Sequence, residues 1–450
     1  MAGPMCFVLM PFGKKADAAG KVIDFDAVYH DLIGPAIEDA LMRPLRADEE
    51  LRGGIIHKPM FERLIVCDFA VADLTTANAN VFYELGVRHA LRPASTVLLR
   101  GGDSRMPFDV GPLRAITYEL SATGKPKGTS KTRALITQFL NEARQATIDS
   151  PVFDLLTWLK APVIDRALAT SFQDALQAAE IAKESIASAS ANGVEALRSV
   201  AASLGDVHNQ DGNVVLALFI AYRDMRAFKD MVELFARMSP ALRAAPFVRE
   251  QYALALNREG EGEKAEQVLK LLLRERGPSP ETLGILGRVY KDRWTAARRS
   301  GNTTLSNVLL RRALDTYVEG FEADCREHYP GINALTLWEW VDPADPRRAQ
   351  ILPVVRYAVE RSLVAAPTDY WSCASSLELA VLARDRHAAE VALGQALAAA
   401  PKSFMVDTTL NNLVLIREAR SLQGASDDVE WITQIAQQLR QAVPEPAASH

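Results

Sequence analysis

Five polar side chains crowd one short stretch, DFAVADLTTANANVFYELG: Asp68, Asp73, Asn78, Asn80 and Glu84. Carboxylates and amides at that density suit recognition of a ribose or a purine edge, whose hydroxyls and ring nitrogens they can hydrogen-bond. A glutamate kept ionised at a helix start can also attack an anomeric carbon. A second carboxylate, Asp68 or Asp73, would then orient the sugar or protonate the leaving base. The plain alternative is structural. Acidic residues are favoured near helix starts by the dipole, and Glu84 with Arg88 is an ordinary i,i+4 pair.

The surrounding pattern says how these groups would be held. The apolar run Leu64–Ala72, broken only by Asp68, is too short for a typical helix and predicts a buried strand. Residues 73–80 supply turn chemistry, with Asn80 as the N-cap of a helix carried by Val81, Leu85 and Ala90 and with Glu84 in its first turn. A strand feeding a polar loop and then a helix sets that loop at the carboxyl edge of an α/β sheet, where such folds bind ligands. All five residues are expected on that rim. Upstream, MCFVLM at 5–10 predicts a first buried strand, and its end, Met10, Pro11, Phe12 and Gly13, forms the facing wall. Arg46 and Asp48 end a brief strand at 45–48 and either hold a phosphate or ribose or form an exposed ion pair. Helices over 25–41 and 55–64, strands at 96–99 and 115–118, a polar crossing at 121–131 and a closing helix over 134–146 complete the pattern. Strands alternating with helices predict an α/β doubly wound parallel sheet.

Past Ser150 the strand signals vanish and helical periodicity runs on to about residue 440. Ala253 and Ala265 lie twelve apart, with Gly260 in the turn between them. Gly287 and Tyr290 follow, and Phe219 and Tyr222 precede, at a period of 34; Pro367 and Pro401 repeat that interval. This spacing fits tetratricopeptide-like helix pairs, with an insertion of about 14 residues near Arg293–Thr304 because the next small residue falls at Ala313. The expected organisation is an α/β domain over 1–125, a closing helix and linker over 126–165, all-α tetratricopeptide-like repeats over 166–440, and a tail over 441–450. Trp338, Trp340 and Trp371 are expected to fill repeat cores.

Composition narrows the function classes. A net charge of −5 without a basic stripe gives no reason to expect nucleic-acid binding. Cys6, Cys67, Cys325 and Cys373 are scattered, as reduced thiols of a cytoplasmic protein would be. No apolar run approaches the roughly 18 residues of a membrane span, and the N-terminus lacks the pattern of a signal peptide. The seven histidines form no metal-binding motif and no phosphate loop is present, so neither a metal nor a cofactor is implied. His89 is expected as a packing residue.

Two resemblances sharpen the reading. CFVLMPFG at 6–13, FDAVYHDLIGPAIEDA at 25–40, RADE at 46–49 and DFAVADLTTANANVFYELGVRHAL at 68–91 resemble the nucleoside 2-deoxyribosyltransferase-like (deoxyribohydrolase-like) family. The resemblance implies that Glu84 is the nucleophile taking the sugar from an N-glycosidic bond, that Asp68 or else Asp73 orients the sugar, and that the site is completed across a homodimer. Asn78 stands where classical transferases carry an aspartate, and Phe12–Gly13 occupies the place of a tyrosine. That leaves an N-glycosidase acting on a nucleotide or nucleoside-derived ligand, or a sensor of such a ligand. HYPGINALTLW at 328–338, TDYWSCASSLELAVL at 368–382 and TTLNNLVLI at 408–416 resemble the TRAF-binding region of apoptosis-signal-regulating MAP-kinase kinase kinases. That likeness implies a signalling or defence protein whose repeats dock a protein partner, with no kinase signature of its own. A non-catalytic scaffold whose N-terminal domain is a nucleotide sensor or a relic is the rival expectation.

Overall fold

The computed structural model describes residues 3–17, 20–46, 57–102, 113–145, 148–162, 166–399 and 403–441. The chain folds as two compact units, Met1–Met225 with Met238–Ala245, and Arg226–Arg237 with Pro246–His450. The helices Arg166–Ala191, Val194–Ser203 and Gly212–Asp224 thus belong with the α/β unit, beyond the expected boundary near residue 166.

The first unit carries β1 (Met5–Leu9), β2 (Lys14–Ala16), β3 (Val22–Asp24), β4 (Arg43–Arg46), β5 (Phe69–Asp73), β6 (Thr96–Gly101), β7 (Ala115–Leu120) and β8 (Pro126–Lys127). One sheet has the order β4-β1-β5-β6-β7-β8. It is parallel as far as β7, and β8 closes it antiparallel. β2 and β3 pair as a separate hairpin that the sequence pattern did not announce, being short and polar. Leu9 lies beside Ala72 and Val8 beside Arg46, which brings the carboxyl ends of β4, β1 and β5 together.

Strand alternation sorts the apolar side chains onto two faces. Cys6, Val8, Met10, Phe69, Val71, Leu99 and Tyr118 pack with residues of the helical stretch Phe25–Asp39 and helix Thr129–Glu142. Phe7, Leu9, Ala70, Ala72 and Leu98 pack with residues of helices His57–Val66 and Ala79–Leu91. Helices therefore cover both faces. Several expected boundaries move. The run Leu64–Ala72 is the end of helix His57–Val66 followed by β5, because Leu64 packs as part of a helical stripe. The closing helix starts at Thr129, behind a left-handed Gly128, and ends at Glu142.

The second unit is helical. From Pro246 it forms helix–turn–helix pairs: Pro246–Arg258 with Gly262–Arg276, Pro280–Arg299 with Thr303–Ala323, His328–Val341 with Pro346–Ala365, Tyr370–Leu382 with Arg386–Ala398, and Ser403–Leu422 with Ser426–Gln441. The expected insertion appears as length: the second pair has helices of 20 and 21 residues where the first has 13 and 15. Gly287 permits their close crossing, since a Cβ there would lie 2.8 Å from the Tyr317 ring. Ala253, Ala265, Trp294, Trp338 and Leu377 belong to one continuous core. Trp338 fills it as expected, whereas Trp371 is 40% exposed.

Within that core lies a polar chain. Lys291 is buried and its Nζ donates to Asn333 Oδ1 at 2.6 Å and to Asn412 Oδ1 at 3.0 Å. Asn412 Nδ2 in turn donates to Glu378 Oε2 at 2.9 Å. These residues stand on the first helices of four successive pairs, so the chain ties the repeats to one another where apolar packing alone would let them slide.

Candidate functional site

The connection after β1 leads to helices on one face of the sheet, and the connection after β5 leads to a helix on the other. Between these diverging loops, at the carboxyl ends of neighbouring strands, a parallel sheet opens a crevice. The loops that leave the sheet at that edge are Met10–Gly13 and Leu74–Asn78.

The first loop is tightly built. Met10 and Pro11 are buried, Phe12 is 41% exposed, and Gly13 turns the chain with φ of +62°. Gly13 N donates to Asp26 Oδ1 at 3.2 Å, and the same oxygen accepts from Arg46 Nη2 at 2.9 Å. The Arg46 guanidinium lies 4.5 Å from the centre of the Tyr29 ring and 5.9 Å from that of Phe12. Arg46 is thus a buried cation fixed at the end of β4; Asp48, its expected companion, lies outside the described residues.

Asp73 and Asp68 part company. Asp73 ends β5 and is buried, its Oδ1 accepting from Thr75 N at 2.9 Å and from the Thr75 hydroxyl, its Oδ2 from Tyr118 Oη at 2.7 Å. Thr75 Oγ1 accepts from Gly101 N at 2.8 Å, so the knot ties the carboxyl ends of β5, β6 and β7. Burial pushes the Asp73 pKa up, against the donors of Thr75 and Tyr118 that favour its ionised form. Asp68 precedes Phe69, the first residue of β5, and so stands at the amino edge, the opposite end of the sheet from the crevice. The expectation that it shares the rim fails because the strand begins after it. Its backbone carbonyl accepts instead from Arg88 Nη2 at 3.1 Å and from Ser95 Oγ at 2.5 Å.

Glu84 remains. The helix that carries it is Ala79–Leu91, capped by Asn78 and not Asn80: Asn78 Oδ1 accepts from Asn80 N at 2.9 Å and Val81 N at 3.3 Å. Asn80 is exposed in the first turn, while Glu84 falls in the second, out of reach of most of the helix-end field. It does not pair with Arg88. That guanidinium is buried and donates to Leu64 O at 2.8 Å, Cys67 O at 2.7 Å, Asp68 O, Ser95 Oγ at 3.2 Å and Thr96 Oγ1 at 3.4 Å. Glu84 is half-buried and among the described residues has no hydrogen-bond or ion-pair partner. Burial alone pushes its carboxyl up to about 7. A carboxyl in that condition exchanges a proton near neutrality and keeps its lone pairs for an incoming group. His89 is buried farther along the same helix, held neutral with its pKa lowered to about 4 by burial and by Arg88. Thr75 and Tyr118 carry little sequence signal for this role: Tyr118 ends the strand at 115–118, and Thr75 lies in the turn stretch 73–80. Among the described residues, no cluster of His, Cys, Asp and Glu could hold a metal ion and no helix is long and apolar enough to cross a membrane.

Residues 81–434 match the family model described as MAP3K TRAFs-binding domain. The chain belongs to this family. The match starts inside helix Ala79–Leu91, so this MAP3K TRAFs-binding region takes in Glu84, β6 and β7 as well as the repeats. Met10–Gly13, Arg46, Asp68 and Asp73 lie before it. Mitogen-activated protein kinase kinase kinase nsy-1 of Caenorhabditis elegans is 26% identical over 226 residues, spanning 45% of this chain and 15% of that protein. Among solved structures, a thermophilic TPR protein of Thermus thermophilus aligns over 45% of this chain and all of its own, with 14% identity and a TM-score of 0.35. A human IFIT1 dimer structure aligns over 71% of this chain and 70% of its own, with 13% identity and a TM-score of 0.34.

Proposed function

We propose that this member of the MAP3K TRAFs-binding family is a cytoplasmic signalling or defence protein with two binding parts. Its repeats dock a protein partner, as the family description and the nsy-1 likeness support. Its α/β rim binds a nucleotide or nucleoside-derived ligand and hydrolyses its N-glycosidic bond. The observation that carries the second part is Glu84, a half-buried carboxyl with no partner of its own among the described residues, in the second turn of the helix that leaves the carboxyl end of β5. The strand order, with helices on both faces, supports reading that sheet as doubly wound, and the motifs shared with deoxyribosyltransferase-like proteins point to the same chemistry.

In this reading the ionised Glu84 attacks the anomeric carbon, and the electron pair of the breaking C–N bond leaves with the base nitrogen, which takes a proton from water. Water then cleaves the glycosyl ester, returning the carboxylate and releasing the free sugar. Asp73 acts as a positioning residue, holding the 74–78 loop through Thr75. Asn78 fixes the helix start, Asn80 and Phe12 line the opening, and Arg46 offers its charge to a phosphate or ribose. The test is base release from nucleosides, nucleotides and NAD, comparing the wild-type chain with Glu84→Gln. Release that falls at least about a hundredfold in the variant is expected, and equal release by both removes the nucleophile.

A second reading rests on the separation of Asp68 from the rim and the engagement of both Asp73 oxygens, which leave Glu84 without a free second carboxylate. The rim then senses the ligand without cleaving it. Saturable binding of one panel member with no release by the wild type would select that reading.

A further inference from the structure

Away from the rim, cationic side chains gather in the second unit where the first helices of neighbouring pairs meet. Arg258 closes helix Pro246–Arg258, and Arg226 sits just before helix Phe228–Arg237 with φ of +58°. Both are exposed, and neither has a hydrogen bond or ion pair among the described residues. Arg288, on the next pair, binds Asp292 through Nε at 3.0 and 3.2 Å, and Asn257 Nδ2 donates to the same carboxylate at 2.7 Å. Partial desolvation of its exposed side chain and the neighbouring Arg288 push the Arg258 pKa down; Asp292 and Tyr329 oppose that, and Arg226 adds to it. Lys291 feels Arg288 and Arg258 from beneath. Arg258, next in sequence to Asn257, therefore shares the field of a carboxylate that Arg288 and Asn257 already occupy, and Arg226 lies within electrostatic reach of Arg258. In a chain of net charge −5, positive charge concentrated this way is held against its own repulsion. Tyr329, 42% exposed on the third pair, adds a ring and a hydroxyl at the same place.

We infer that Arg226, Arg258, Arg288 and Tyr329 dock an acidic peptide segment of a protein partner, whose carboxylate or phosphoryl oxygens take the unoccupied guanidinium donors. Guanidinium forks match those oxygens in pairs, and side chains on successive helices suit an extended peptide crossing them. The inference rests on the reading that the repeats dock a protein.

The experiment is fluorescence anisotropy of the full chain with labelled twelve-residue peptides: one alternating Asp and Gly, one with phosphoserine for Asp, and one with Asn for Asp. Binding of either acidic peptide, lost on raising salt and weakened at least about tenfold by Arg258→Glu or Arg226→Glu, is expected. The relative strength of the first two peptides tells a carboxylate source from a phosphoryl one. Arg311→Glu, an equal charge change at an exposed position of another helix, should leave binding within about twofold. No binding of either acidic peptide, equal binding of the Asn peptide, equal loss in the control variant, or stronger binding of a single-stranded oligonucleotide overturns the inference. If instead a partner protein captured through the repeats binds wild type and Arg258→Glu alike, the docking reading stands and this surface is not its site.

Discussion

Two desolvated glutamates divide this molecule. Glu84 at the sheet rim and Glu378 in the repeat core are both pushed above the usual carboxylate range by burial. Glu378 has Asn412 donating to it and Lys291 within electrostatic reach, in a chain that links four helices. Glu84 has no such partner among the described residues. A desolvated carboxyl with partners is an element of architecture, since the partners offset its cost and are themselves satisfied by it. One without partners costs stability and gives none back, which is why the proposed chemistry is assigned to it. Arg88 sharpens the contrast, because a cation one helical turn from Glu84 is spent on backbone carbonyls at the far edge of the sheet.

The comparison can be broken by substitution. Lys291→Met should cost the most, about 3–5 kcal/mol, because Asn333, Asn412 and Glu378 lose the charge that satisfies them; Lys291→Met with Glu378→Gln should recover part of it. Urea denaturation of the full chain reads both, and a cost below about 1 kcal/mol would make the polar chain incidental. Tyr118→Phe removes one of the donors to Asp73 and should cost about 2 kcal/mol, with a larger loss in ligand binding if the 74–78 loop relies on that knot. Glu84→Gln should have the smallest effect and the opposite sign. Below its ordinary value of 4.5 both states hold the proton and the residue is neutral in its effect. Between 4.5 and about 7 the unfolded chain loses its proton first, so stability falls, and above 7 the deficit is complete. The variant should therefore be more stable than wild type by on the order of 1 kcal/mol at pH 8, after discounting for residual solvent, and equal to it near pH 4. A variant less stable at pH 8 would mean that Glu84 has a partner after all.

Much was legible from sequence alone. The run 5–10 and the strand signals at 96–99 and 115–118 announced a parallel sheet, because apolar runs bounded by turn residues can be buried on two faces only as strands. The interval of 34 announced helix pairs and even the extra residues in the second pair, because a repeat must restore the same contacts at the same spacing. Residue type marked Glu84 as the group to watch. Tertiary structure decided which company it keeps. Asp68 and Asp73 are five residues apart in one run, yet they lie at opposite edges of the sheet, because strand length is set by pairing with β1 and β6. Arg88, the obvious partner by helical spacing, is drawn away by carbonyls of segments far from it in sequence. The cluster of Arg226, Arg258 and Arg288 has no linear signature, since it exists only where successive helix pairs stack. Local pattern determines the elements; which polar groups are satisfied, and which are left for something else, depends on contacts across the fold that no window of sequence contains.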